Sequence, residues 1–325
     1  MLITLNKSSS THSAIVDEEH VYLFDETSIR KKLNLLLSSL IFVSDNKDIE
    51  DIVDYWILRL PKFNTRLQAG YNCGLVALRI AIEYIINDTI DQEFSASLLK
   101  YSIDKGYSNE GELFSSYYLQ DICNHFFSND KYNINAIVYE SPSLLDIMNH
   151  LSIGLPILVP YDADKNWRPI NEKGKRAHWA TIMGFIIPQI NNNNIIKLIN
   201  NNDDDDKDIL FKLNNKDIIV QDSLKTLYIN NKYSNQQPSI QFFNNNNNSN
   251  NTDNSFKLID NNIYLICQHG KSKFIQLWEY TSLKSSNQCL SEPDKERLLS
   301  SRWKIPDNLR DLQNKWIFLN NNKNK

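Results

Sequence analysis

The chain has 325 residues, a formal net charge of -4 and a hydrophobic fraction of 41%, enough apolar material for one large or two ordinary domains with a real core. A pI near 5.9 without a basic tract argues against nucleic-acid binding, because nothing is in place to displace counterions from phosphates. The longest apolar stretches, such as Leu35–Val43, are interrupted by Ser and fall short of the roughly 20 residues that span a bilayer, so no membrane attachment is expected.

No N-terminal apolar run suggests a secretory signal, and Cys73, Cys123, Cys267 and Cys289 lie too far apart to read as a disulfide framework; a reducing, cytoplasmic setting is expected. Residues 1–50 read as an N-terminal extension with one helix over Thr27–Val43, and Ile49–Leu60 repeats the three- and four-residue apolar spacing of a helix. Asn72 is placed to cap a helix over Leu75–Ile86 that is apolar nearly all round and therefore buried. Gly111–Phe127 and Ser143–Leu151 follow as helices, the latter with Asp146 near its start. From Pro156 onward the pattern becomes strands: Ile157–Pro160, His178–Phe185, Asn262–Cys267 and Phe274–Trp278 are rich in β-branched and aromatic residues. Between them, residues 188–257 carry Asn and Asp homopolymer runs that cannot bury enough apolar surface to offset chain entropy, and are expected to be a largely disordered insertion with a short hairpin or helix around Ile218–Tyr228. The folded domain is thus 51–187 plus 258–325, an α+β architecture with a helical half packed on an antiparallel sheet.

The chemistry is expected where those halves meet. Cys73 stands at a helix start, where orphan amides and the helix dipole favour a thiolate, and Gly70 and Gly74 leave room for a substrate backbone. Gln68, five residues upstream, can offer its side-chain amide to the oxyanion formed when the thiolate attacks a carbonyl, with the Cys73 N–H as second donor. His178 opens an apolar strand after a polar loop, which puts an imidazole on a cleft rim as general base. The order Gln, Cys, then His on a strand is that of papain-like peptidases. A third residue should accept the other imidazole N–H from the end of the next strand; Gln268 falls there, with Asp222, Asp260 and Asn262 as alternatives. Other histidines read as surface residues, with His269 alone near the proposed site. The loop Asp162–Arg176 carries Lys165, Arg168, Lys173, Lys175 and Arg176 and puts positive charge beside the cleft, so Lys175 and Arg176 are candidate substrate-binding residues. Trp167 and Trp179 are candidate cleft walls or core aromatics. No metal or organic cofactor is called for.

Several blocks in order, Gln68-Ala-Gly-Tyr-Asn-Cys73-Gly-Leu-Val-Ala-Leu78, Gly111-Glu-Leu-Phe-Ser115, Leu158-Val-Pro-Tyr-Asp162, Ala177-His-Trp-Ala180 and Gln276-Leu-Trp278, resemble the actin maturation protease family, itself similar to the bacteriocin-processing papain-like cysteine peptidases. The resemblance implies a papain-like fold and an aminopeptidase that removes the N-acetylated first residue, Met or Cys, from immature actin and exposes the acidic residue beneath. It carries the nucleophile and base to Cys73 and His178, acting as a thiolate and an imidazolium, and the oxyanion donor to Gln68. Animal relatives dock profilin through a Pro-rich tract that residues 1–50 lack. The same side chains would also suit a general papain-like peptidase or a thioester-forming acyltransferase. With Gln268 in the orienting position, a catalytically inactive actin-binding domain is the non-enzymatic alternative.

Overall fold

In the computed structural model of the chain, residues 21–22, 53–59, 63–190, 218–221, 226–229 and 263–321 are described. Three strands come first, β1 (Val21–Tyr22), β2 (Val53–Arg59) and β3 (Thr65–Arg66), and β1 pairs antiparallel with β3. Helix α1 (Cys73–Ile86) follows and is buried along most of its length, as its unbroken apolar sequence requires. It ends at Asn87, whose left-handed backbone (φ 51°) lets its N–H return to the carbonyls of the last turn. Helix α2 (Gln92–Asp104) is capped by Asp91, which accepts from the Phe94 N–H at 2.6 Å. Next come α3 (Ser116–Phe127), β4 (Ile134–Glu140) and α4 (Leu144–Ser152), the last opened by a reciprocal capping box between Ser143 and Asp146.

The remaining strands are β5 (Ile157–Asp162), β6 (Ala177–Ile190), β7 (Ile218–Gln221), β8 (Thr226–Ile229), β9 (Tyr264–Gln268), β10 (Gln276–Glu279) and β11 (Lys315–Asn321); α5 (Tyr280–Gln288) and α6 (Lys295–Leu299) precede β11. One sheet runs β4-β11-β5-β6-β2-β8-β7, and β9 pairs with β6 and carries β10 outward. Its pairings are antiparallel except β2 with β8. Strand β6 is the spine, bonded to β5, β2 and β9.

Alternation along the strands divides the core in two. Leu78, Ile82, Leu119, Ile122 and Phe127 from α1 and α3 pack with Leu158, Trp179 and Ile317 on one face. Ile147, Met148 and Leu151 of α4 and Leu283 of α5 pack with Val159, Tyr161, Ala180 and Ile182 on the other. The fold is the expected α+β, papain-like type, with helices on both faces of its sheet.

Three local expectations fail. Residues 53–59 of the expected helix Ile49–Leu60 form β2, because a run so rich in β-branched and aromatic residues finds partners in both β6 and β8. Helix α3 starts at Ser116, not Gly111: Gly111 has φ +110°, and the segment to Ser115 is non-helical. Asn72 sits at the N-cap position of α1 but makes no side-chain capping bond, its φ and ψ (-103°, 32°) lying outside the usual N-cap region. The helix Thr27–Val43 and most of 188–257 lie outside the described residues; within the latter, β7 and β8 pair as a hairpin.

Candidate active site

Cys73 opens α1, so its thiol stands in the first turn, where the backbone amides of Trp179 and Gly74 favour the thiolate form. Trp179 directly follows His178 on β6, so chain continuity brings the strand start to the helix start. Trp179 faces α1, its indole Nε1 donating to the Leu113 carbonyl at 2.9 Å and its ring standing 3.3 Å from where a side chain on Gly74 would begin. Thr181 faces the same way and donates to the Ala77 carbonyl at 2.7 Å. Trp179 is 1% exposed, so it is a core residue and not a cleft wall.

His178 lies directly opposite Tyr161 in the β5/β6 register, with its ring 5.8 Å from Tyr161, 4.9 Å from Trp167 and 5.7 Å from His269. Trp167, which Lys271 overlies at 5.6 Å, is the aromatic that covers the imidazole. Nε2 of His178 is buried without a hydrogen-bond partner, so it makes no hydrogen bond to the thiol. Such contacts are commonly loose before substrate arrives.

The shifts at both groups oppose the expected thiolate and imidazolium. Burial, and then the charge of Glu112, push the Cys73 thiol up to about 12; Arg297 and the two backbone amides only partly oppose them. Burial pulls His178 well below the usual imidazole range, helped by His269, Lys271 and Arg297. With the thiol far above the imidazole, the pair rests uncharged.

Gln68 is pinned to the turn after β9: its backbone N–H donates to the Gly270 carbonyl at 2.7 Å, and its side-chain NH2 donates to the Gly70 carbonyl at 2.8 Å, which leaves the second N–H of that group available. A side chain on Gly270 would begin 2.8 Å from both Cβ and Oε1 of Gln68. Gly270→Ala is therefore expected to displace Gln68 and lower kcat by about 10- to 100-fold. The thermal midpoint should change little; steady-state kinetics beside a melting curve measures both.

Gln268 does not orient the imidazole. Its Nε2 donates to the carbonyls of His269 (3.1 Å) and Ser272 (2.6 Å), and its Oε1 is buried without a partner. It pairs with Thr181, three residues along β6 from the histidine. The side chain beside His178 is His269, whose Nδ1 accepts from the Lys271 N–H at 3.2 Å and whose ring is pulled to about 4 by burial and by Lys271. Asp222, Asp260 and Asn262 lie outside the described residues.

Lys175 and Arg176 are exposed on the loop before β6, where the Arg176 N–H bonds Asp162 and Lys173 pairs with Glu292 at 3.2 Å. The charges acting on Cys73 and His178 come instead from Glu112, Arg297 and Lys271. A cavity of about 760 Å³ opens at the far end of α1, lined by Ile85, Asp88, Phe94 and His125 among others. It includes neither Cys73 nor His178.

A sheet whose strand start delivers a histidine beside a cysteine opening a buried helix defines a papain-like domain. Residues 63–186 match the family model described as actin maturation protease-like, C-terminal domain. The chain is 25% identical to the actin maturation protease of Xenopus tropicalis over 242 residues (74% of this chain, 65% of that protein) and 25% identical to that of Danio rerio over 262 residues (78% and 68%). It is 35% identical to that of Drosophila melanogaster over 125 residues, 38% of this chain and 43% of that protein. The chain thus spans between about two fifths and two thirds of these relatives' lengths. No solved structure matches it significantly. These matches support membership of the actin maturation protease family.

Proposed function

We propose that the protein is a cysteine peptidase that removes the N-acetylated first residue of immature actin. The observation that carries this reading is the packing of the helix start at Cys73 on the start of β6, through Trp179 against Gly74 and Thr181 on the Ala77 carbonyl, in a chain whose relatives are named actin maturation protease. The uncharged resting pair favours general-base attack: His178 takes the thiol proton as the sulfur adds to the carbonyl of the first residue, and then gives it to the departing amine. The free N–H of Gln68 and the Cys73 amide receive the oxyanion, and water hydrolyses the thioester. His269 packs beside the imidazole and helps to fix its ring. Lys271 and Arg297 give the cleft positive potential suited to the acidic residues beneath the first.

The full chain incubated with acetyl-Met and acetyl-Cys actin N-terminal peptides should shorten each by one acetylated residue, read by mass. Cleavage only at internal bonds would favour a general peptidase, and acyl transfer to an added amine a transferase; no reaction at all would leave a binding domain.

A further inference from the structure

Glu112 is a buried acid that no step above uses. It is 9% exposed, and its Oε2 is buried with no hydrogen-bond partner. Leaving such a group unpaired costs about 1–3 kcal/mol, so its retention beside the thiol calls for a reason.

Both neighbours of Glu112 pin it to the nucleophile. Gly111 turns with φ +110°, so close to the helix start that an added side chain would begin 3.2 Å from Cβ of Asn72. Ser108 Oγ fixes this turn by accepting from the N–H groups of Glu110 (3.2 Å) and Gly111 (2.7 Å). On the other side, the Leu113 carbonyl accepts from the Trp179 indole, and Leu113 Cβ stands 3.5 Å from the position of a side chain on Gly74. Residues 111–113 thus brace the two residues that flank Cys73, and the Glu112 charge is felt at the sulfur. Oδ1 of Asn72, freed from capping, is also buried and unpartnered.

We propose that Glu112 is a substrate-binding residue that accepts the acetamido N–H of the first residue as its carbonyl reaches Cys73. The inference rests on the peptidase reading and deepens it. Arg297, Arg302 and Lys271 all act on Glu112. The charge of Glu112 is already balanced by these cations, so a free α-ammonium would bring positive charge in excess, whereas an acylated nitrogen brings a donor without charge. The site so built selects a blocked N-terminus.

The test uses full-length protein carrying Cys73→Ala, which binds without turnover, and two peptides: acetyl-Met actin N-terminus and the same peptide N-methylated at the first residue. With Glu112 present and the pH at about 8.5, where its carboxyl is ionised, N-methylation should weaken binding about 10- to 100-fold, the range for a hydrogen bond to a charged acceptor. In Glu112→Ala it should change binding less than about twofold, and Glu112→Gln, which keeps one acceptor oxygen in the same shape, should fall between. Equal losses in all three backgrounds would overturn the role of Glu112 and leave the peptidase reading standing. A wild-type chain that fails to cleave the unmethylated peptide would overturn the peptidase reading, while the binding comparison would still report on Glu112.

Discussion

Cys73→Ala should abolish removal of the acetylated residue, and His178→Ala should lower kcat by roughly 10⁴-fold or more, because nucleophile and base act as a unit and loss of either leaves only the oxyanion donors and binding. Peptide affinity should change little in either variant. The pH dependence of kcat separates the general-base mechanism from a preformed ion pair. Attack requires neutral imidazole. The ring of His178 is held well below the usual range by burial, with His269, Lys271 and Arg297 adding positive potential and Tyr161 and Trp167 closing it from water. A depressed value means that the active, uncharged form survives as pH falls, so the acid limb of kcat should lie clearly below pH 6.5. Measuring kcat at saturating peptide removes the contribution of Glu112 to binding, since that carboxyl, pushed up to about 7 chiefly by burial, titrates in the same region. In the free protein, iodoacetamide should label Cys73 more slowly at pH 7 than an exposed cysteine, with the rate climbing as pH rises toward the thiol value of about 12. Fast labelling at neutral pH together with an acid limb above 7 would mean a resting thiolate and imidazolium, and would end the uncharged-pair mechanism.

Much of this arrangement was legible in residues whose local chemistry and tertiary role coincide. The apolar run after Cys73 had to be a buried helix, the Ser143 and Asp146 pair had to open one, and the sequence after His178 had to be a central strand. Elsewhere the deciding partner lies far along the chain. Strand β4 is closed by β11, nearly two hundred positions later, and nothing in either run announces the other. Leu113 and Phe114 keep helical spacing with α3, yet Gly111 at φ +110° breaks the helix before it forms, so that Glu112 lies outside it. The side chain that packs beside the His178 ring was missed by a single position. In a strand, a one-residue step exchanges the two faces of the sheet, so Gln268 shares a register with Thr181 while His269 reaches the imidazole.

The loop that delivers His178 depends on one carboxylate, and Asp162→Ala is expected to cost the fold about 3–5 kcal/mol. Asp162, fully buried at the end of β5, accepts backbone N–H groups from Glu172 (2.6 Å), Gly174 (3.0 Å) and Arg176 (3.2 Å). Its own backbone is clamped by Ser286, whose hydroxyl accepts from the Asp162 N–H at 2.9 Å and donates to its carbonyl at 2.8 Å. Alanine removes three charge-assisted bonds and strands the Gly174 N–H in the interior, whereas Asp162→Asn keeps an acceptor oxygen and should cost less than half as much. In a domain of this size the alanine variant should melt about 10 °C lower. The same loop carries Trp167 over the imidazole, and Lys165, Lys173, Lys175 and Arg176 make it a ready trypsin substrate. Tryptic cleavage between residues 163 and 176 should therefore accelerate in Asp162→Ala before the rest of the domain is attacked, and kcat should fall with it because the ring that confines His178 loosens. An unshifted melting temperature with unchanged proteolysis would mean that the loop is held by its packing on Leu290 and Leu309 through Gly174, and not by the buried carboxylate.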